Sequence, residues 1–254
     1  MSKIPIKETI QKVFGWLGLE VRRLKNANVE SQVLKNILTR AAIDVVLDVG
    51  ANTGQYGDLL LRTGFTGTLI SFEAIPGAHR KLVEHAKKKS HAWMVAPCAA
   101  LGSQRGQVQF NIAANSVSSS ILPMRRTHLE AAPQSKYIER QTVAVERLDD
   151  LAPRMLPSFG RILIKIDTQG YEMEVLKGAE GLLPLTAAIQ LELSLVPLYE
   201  GAPTFVEMIA YVESKGFELF SIVSGFRDKR IGRLLQADGF FVRSDLFSHA
   251  GSNS

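Results

Sequence analysis

The sequence predicts an α/β domain built on a mostly parallel sheet, with helices on both faces and an antiparallel hairpin at the carboxyl end. Three observations carry this. From Asp44 onward, short apolar runs alternate with helical patterns, the order that places a parallel sheet between layers of helices. The last two apolar runs, residues 217–223 and 239–243, are joined by a short loop instead of a helix, so they pair as a hairpin. Hydrophobic residues make up 46% of the 254 and charged residues 22%, enough apolar material to bury a core of that size.

The elements follow in order. Residues 44–49 read as a buried strand, 54–63 as a helix ended by Gly64, and 68–72 as the next strand. Residues 76–88 form a helix and 92–96 a strand. Residues 107–112 alternate and are bounded by turn residues, which marks another strand. Residues 115–140 are polar and irregular, and a loop of that length in a folded domain is usually functional or mobile. Residues 141–145 read as a strand, 148–155 as a short helix or turn, and 161–166 as a strongly apolar strand. A helix over 171–177 is ended by Gly178, and residues 187–193 return to strand. Thr204 with Glu207 forms a capping box that opens a helix over 204–215, closed by Gly216. No internal repeat is present. The chain divides into a helical extension at 1–40, one domain at 41–247 and a disordered tail at 248–254.

Charge and composition narrow the function classes. The formal net charge is +5 and the pI about 9.3, but the positive residues are dispersed. The densest group, Lys87, Lys88 and Lys89, suits a helix carboxyl end. A basic stripe interleaved with aromatics is missing, so nucleic acid is not the expected partner. Cys98 is the single cysteine, which rules out an intrachain disulfide and a cysteine-rich zinc site, and suits a reducing cytoplasm. No apolar run approaches the ~20 residues of a membrane span. Ile6, Ile10, Val13, Phe14, Leu17, Val21 and Leu24 recur at helical spacing beside Lys7, Lys12, Arg22, Arg23 and Lys25. That pattern fits a helix packed on the domain or on the partner of a homodimer. The alternative is a basic amphipathic helix lying on the inner face of a membrane.

The chemistry begins at the first strand. Its residues Val45-Val46-Leu47-Asp48-Val49 run into Gly50-Ala51-Asn52-Thr53-Gly54, and open α/β sheets bind ligands beyond such strand ends. A dinucleotide loop takes Gly-x-Gly-x-x-Gly with helix N–H groups on a pyrophosphate. Here Asn52 stands at the second glycine position and the acidic Asp48 precedes the loop. A carboxylate there repels pyrophosphate and favours a cationic ligand. S-adenosylmethionine carries an ammonium and a sulfonium and no phosphate. Glu73 ends the next strand, about twenty residues on, where a carboxylate can accept both ribose hydroxyls.

Four segments then show a resemblance. Residues 46–54, Phe72-Glu73-Ala74-Ile75-Pro76, Leu148-Asp149-Asp150-Leu151, and Ile164-Lys165-Ile166-Asp167-Thr168-Gln169-Gly170-Tyr171-Glu172 with Val175-Leu176-Lys177-Gly178-Ala179 resemble, in this order, the FkbM family of methyltransferases. The resemblance covers residues 44–242. It implies the class I, Rossmann-like fold with a seven-stranded sheet, S-adenosylmethionine as cofactor, and usually O-methylation of sugars, glycolipids or polyketide-type products. It further implies that Ala99-Ala100-Leu101-Gly102 lines the adenine side, and that Asn115 and Ser118, Ser119 and Ser120 approach cofactor or substrate.

Transfer of a methyl to an alcohol needs an aligned nucleophile, and a base or metal to take up its proton. Asp167 ends the most apolar strand and is the leading candidate for a general base. Glu192 is expected on the neighbouring strand end, so the two form a carboxylate pair in which Asp167 either acts as the base or shares a Mg²⁺ with Glu192. The competing assignment makes Asp167 a helix cap and Glu192 a ligand of backbone N–H groups. His128, in the long polar stretch, is a further candidate base. Arg125, Arg126 and Lys136 offer contacts to a phosphate or acidic sugar. Two other functions stay open at this level: N-methylation of a small molecule, and a non-catalytic S-adenosylmethionine-binding protein. The Asn/Asp-Pro-Pro-Tyr/Phe motif of nucleic-acid amino methylation does not occur.

Overall fold

The structure is a computed structural model, and it describes residues 29–156 and 158–247. The amphipathic pattern over residues 6–24 and the expected tail at 248–254 lie outside the described residues. Seven strands make the central sheet: β1 (Val45–Val49), β2 (Thr68–Phe72), β3 (Trp93–Val95), β7 (Ile162–Ile166), β8 (Thr186–Ser194), β9 (Phe217–Ser224) and β12 (Gln236–Arg243). Their spatial order is β3-β2-β1-β7-β8-β12-β9. The pairs from β3 through β8 are parallel, and β12 runs antiparallel to both β8 and β9.

Burial on both faces explains the near-continuous apolar strands, since every residue of β1 and of β7 is buried. On one face, Leu47, Ile70, Ile164, Leu191 and Phe241 pack against Leu148, Leu151, Val175, Leu176, Met208 and Val212. Those come from α5 (Leu148–Met155), α6 (Glu172–Lys177) and α7 (Phe205–Ser214). On the other face, Val46, Leu69, Leu163 and Phe240 meet Leu34, Ile37, Tyr56, Leu60 and Leu82, from α1 (Val29–Arg40), α2 (Gln55–Arg62) and α3 (Pro76–Lys89). The described part of the first forty residues is therefore α1, and it packs into the domain core through Leu34, Ile37 and Leu38. The capping box forms as expected: the Glu207 N–H donates to Thr204 Oγ1, and the Thr204 N–H to Glu207 Oε2. Among the described residues no helix is long and apolar enough to cross a membrane.

Two expectations change. Residues 107–112 and 141–145 do not join the main sheet. They extend into β5 (Gly106–Ala113) and β6 (Tyr137–Glu146), which pair antiparallel and form a separate three-stranded sheet with β4 (Ala100–Leu101). The polar stretch between them is also ordered. It contains α4 (Arg126–Ala131), a 3-10 turn at Pro133–Ser135, and a β-bridge from Ser120 back to Asn111. Polar composition suggested a loop, but the polar side chains are spent on tying the backbone down: Asn111 Nδ2 donates to the carbonyls of Ser120 and Ile121, and Ser119 Oγ accepts the Ala113 N–H. The loop between β9 and β12 likewise carries its own small hairpin, β10 (Arg227–Asp228) with β11 (Arg233–Leu234). A final short helix, α8 (Ser244–Phe247), follows β12.

Candidate active site

A cleft of about 490 Å³ opens at the carboxyl ends of β1, β2, β7 and β8. Its volume lies in the range of small-molecule sites. The loop after β1 forms one wall. Gly50 has φ +78°, and a Cβ built on it falls 1.9 Å from the Asp167 carbonyl oxygen, so β1 and β7 leave the sheet too close together for a side chain. The N–H groups of Gly50 and Ala51 both donate to the Phe72 carbonyl. Asn52, in the second glycine position, takes φ +48°, a left-handed conformation that asparagine tolerates better than most residues. The turn brings the Asn52 N–H to Glu73 Oε2 at 2.8 Å.

Glu73 receives a second backbone bond, from the Ile75 N–H to Oε1, also at 2.8 Å. Burial raises its pKa, and the two N–H groups pull it back. Each oxygen accepts one protein hydrogen bond and retains a lone pair, so the carboxylate is fixed and still able to accept two vicinal hydroxyls. Ala99, Leu101, Phe72, Ile75 and Phe110 give the cleft an apolar side, suited to a flat base. Ser119 lines it too.

Asp48 and Gly54 stand behind this wall and do not line the cleft. Gly54 caps the start of α2 at φ +102°, and a Cβ built on it falls 3.0 Å from the Trp93 ring. Asp48 is fully buried. Its Oδ2 accepts from Ser71 Oγ, which in turn accepts from Trp93 Nε1, and its Oδ1 lies 3.4 Å from Lys165 Nζ. Burial drives the Asp48 carboxyl up, and Lys165 draws it down. The acid ahead of the loop therefore serves the strand beneath it, and its charge acts on the cleft from behind the wall, on Lys165, Tyr56 and Glu73.

Lys165 is the polar residue inside the most apolar strand. Its ammonium lies 3.5 Å from Asp167 Oδ2 and 5.3 Å from the centre of the Tyr56 ring. Burial opposes its charge, but Asp167 and Asp48 hold it above the usual lysine range.

At the carboxyl ends of β7 and β8, Asp167 and Glu192 both line the cleft. Gln169 joins them: its Nε2 donates to Asp167 Oδ1 at 2.8 Å and to Glu192 Oε2 at 2.7 Å. Gln236 Nε2 also donates to Glu192 Oε2. Burial, then the Asp167 charge, push the Glu192 carboxyl well above its ordinary range. Asp238, the cross-strand partner of Glu192, is pushed up to about 7 by burial and by Glu30 and Asp167. Gln169 sits at φ +56°, a conformation that costs a non-glycine residue of order 1–3 kcal/mol. The turn is held by Ser120 Oγ, which donates to the Gln169 carbonyl, and by Glu172 Oε1, which accepts the N–H groups of Thr168 and Gly170. Burial raises Glu172 to about 7.

His128 is placed elsewhere. It is buried between the rings of Tyr199 and Phe226, away from the cleft wall, and burial lowers it to about 4. Arg125, Arg126 and Lys136 do not line the cleft; Arg126 pairs with Glu130 at 2.6 Å. Arg62, Tyr56, Gln190, Asp238 and Glu30 do line it, and sequence reading missed all five. A lysine inside an apolar strand was the one visible signal, since a buried cation requires carboxylates around it.

The donor set suits the cofactor and not a metal. A fixed carboxylate for ribose, an apolar side for adenine and acidic surroundings for a cationic end fit S-adenosylmethionine. Among the described residues no group of three or more His, Cys, Asp or Glu side chains could hold a metal ion, and between Asp167 and Glu192, the pair that the alternative reading gave to Mg²⁺, stands the Gln169 amide.

Comparison with known proteins bears on the same residues. No curated protein matches the chain. The methyltransferase FkbM domain matches residues 48–219, from within β1 into β9. Among solved structures, the chain is similar to magnesium protoporphyrin IX methyltransferase from Synechocystis PCC 6803 with bound SAM, at 9% identity and TM-score 0.45, covering 96% of this chain and 100% of that one. It is similar to precorrin-6y C5,15-methyltransferase from Geobacter metallireducens GS-15, at 13% identity and TM-score 0.44, covering 87% and 91%. An rRNA methylase from Streptococcus thermophilus gives 8% identity and TM-score 0.44, covering 88% and 99%. With the domain match over most of its length and a mostly parallel seven-stranded sheet that ends in an antiparallel hairpin, the chain belongs to the FkbM methyltransferase family and is an S-adenosylmethionine-dependent methyltransferase of class I fold.

Proposed function

We propose that the protein O-methylates a hydroxyl on a sugar, glycolipid or related natural product, with Asp167 as the general base. One observation supports the role of Asp167 above the others. Its side chain is 38% exposed, whereas Asp48 is shut into the fold and Glu73, though it lines the cleft, is 6% exposed and tied to two backbone N–H groups. S-adenosylmethionine supplies an electrophilic methyl on a sulfonium, already a good leaving group. What remains for the chain is to align the acceptor oxygen, exclude water and receive a proton.

Each residue has a stated part. Glu73 holds the ribose hydroxyls, the Gly50-Ala51 backbone and Asn52 shape the loop around the amino-acid end, and Ala99 and Leu101 flank the base. With the cofactor bound, Asp167 would take the acceptor hydroxyl's proton as that oxygen takes the methyl from the sulfonium, which would leave as the neutral thioether. Asp167 retains Lys165 on Oδ2 and Gln169 on Oδ1, so the side chain is held from two sides. The family resemblance supports oxygen as the atom methylated and a glycosyl or natural-product acceptor.

The test screens labelled methyl transfer over a panel of glycosides, glycolipids and polyketides, then compares Asp167→Asn on whatever acceptor is found. Expected is a loss of at least about a hundredfold in kcat, the scale of a positioned base, with S-adenosylhomocysteine affinity within threefold of wild type. A fully active Asp167→Asn sinks the assignment.

A further inference from the structure

We propose that Gln169 is the positioning residue of the catalytic end: its side-chain amide separates Asp167 from Glu192 and fixes which oxygen of Asp167 faces the acceptor. The inference rests on the reading of Asp167 as base.

The amide fills three of its four hydrogen-bonding positions: both N–H donors and one of the two lone pairs of its carbonyl oxygen. Both donors go to carboxylates, Asp167 Oδ1 at 2.8 Å and Glu192 Oε2 at 2.7 Å. The carbonyl accepts from Tyr199 Oη at 2.6 Å. Chemistry fixes the orientation, because a flipped amide would present its oxygen to two carboxylates and leave Tyr199 facing an N–H. Tyr199 is buried and its hydroxyl keeps its proton far above neutrality, so it stays a donor. Gln169 is 8% exposed and is held in a left-handed turn by Ser120 and Glu172. A backbone strained in this way aims the side chain inward.

The consequence is specific. Without the amide, two carboxylates at neighbouring strand ends would meet directly and share a proton, as close acidic pairs do. A shared proton occupies the oxygen that has to accept one from the acceptor. With the amide between them, Asp167 Oδ1 is turned to Gln169, and Oδ2, which accepts nothing from the amide and faces the Lys165 ammonium at 3.5 Å, is the oxygen assigned to the acceptor's proton. The groups that face this pair are Lys165 from β7, Asp238 and Gln236 from β12, Glu172 from α6, and Tyr199 and Gln169 from the two loops.

The experiment reads the carboxyls themselves in the free, full-length enzyme. Asp and Glu side-chain carboxyls are labelled with ¹³C and titrated by NMR in wild type, Gln169→Met, Gln169→Asn and Tyr199→Phe, with Asp167→Asn and Glu192→Gln identifying the signals. Gln169→Met removes both donors at similar length. Gln169→Asn tolerates the left-handed turn and keeps an amide too short to bridge, so it decides the matter should the methionine variant fail to fold. Losing a hydrogen bond made to the charged form raises a carboxyl pKa. Expected is an upward move of Asp167 by about one pH unit or more in both Gln169 variants, the loss of one charge-assisted hydrogen bond. Tyr199→Phe gives a smaller move of the same sign. S-adenosylhomocysteine affinity stays within threefold throughout. Titrations unchanged from wild type in Gln169→Met and Gln169→Asn overturn the role of Gln169 even where Asp167→Asn is inactive. A fully active Asp167→Asn in the acceptor assay overturns the base reading, and the proposal with it.

Discussion

Replacing Lys165 by methionine exposes how the sheet carries its one cation in the cleft wall. The change is close to isosteric and removes the charge that lies 3.4 Å from Asp48 Oδ1 and 3.5 Å from Asp167 Oδ2. Asp167 is partly exposed and turns to water. Asp48 is fully buried, and breaking a buried pair costs about 3–5 kcal/mol. The penalty has a ceiling, because Asp48 can take up a proton and keep its bond from Ser71. At pH 7 that uptake costs about 4 kcal/mol for an aspartate of ordinary pKa near 3.9, at about 1.4 kcal/mol per pH unit. At pH 5 the same uptake costs only about 1.5 kcal/mol.

The sign follows from proton linkage. In the variant, folded Asp48 binds a proton that the unfolded chain releases above pH 4, so stability falls as pH rises. Lys165→Met should therefore be about 3–4 kcal/mol less stable than wild type at pH 7 and about 1.5 kcal/mol less stable at pH 5, measured by urea unfolding followed by circular dichroism. The double variant Lys165→Met, Asp48→Asn should regain most of the loss at pH 7. A deficit equal at the two pH values, or below about 1 kcal/mol at pH 7, refutes the reasoning, since either means that Asp48 does not depend on Lys165.

Two further substitutions separate the loop from the scaffold. Gly50→Ala puts a methyl against the Asp167 carbonyl at a positive φ, which should cost about 2–4 kcal/mol from left-handed strain and overpacking and abolish binding of S-adenosylhomocysteine; thermal unfolding and calorimetry check both. Thr204→Ala removes the cap of α7, a helix with no residue lining the cleft, and should cost about 1 kcal/mol while kcat stays at the wild-type value.

Much of the scaffold was legible in the sequence because its signals are local. The β1 strand, its loop and Glu73 lie in one run of about thirty residues, and the apolar run ending at Asp167 marks β7 by its length alone. Glu192 was readable for the same reason, as the polar end of a strand. Register and layer were not readable. Asp238 reaches the cleft because β12 runs antiparallel to β8 and pairs it with Glu192, a relation that no spacing along the chain encodes. Asp48 sat in the right motif, but its depth depends on α1 and α2 covering that face. His128 was read from a polar neighbourhood in sequence, whereas its neighbours in space are the aromatic rings of Tyr199 and Phe226. Gln169 was visible as part of the motif, and its function was not, because the acceptors of its amide lie two and twenty-three residues away.

The account depends most on the cleft being the cofactor site, with Glu73 as its fixed carboxylate. Calorimetric titration of S-adenosylhomocysteine into wild type and Glu73→Gln tests this most directly. The account predicts one site per chain in wild type, and an affinity at least about tenfold weaker in the variant, the scale of a lost hydrogen bond to a charged group. Absence of binding to wild type, or equal affinity in the two proteins, would contradict it.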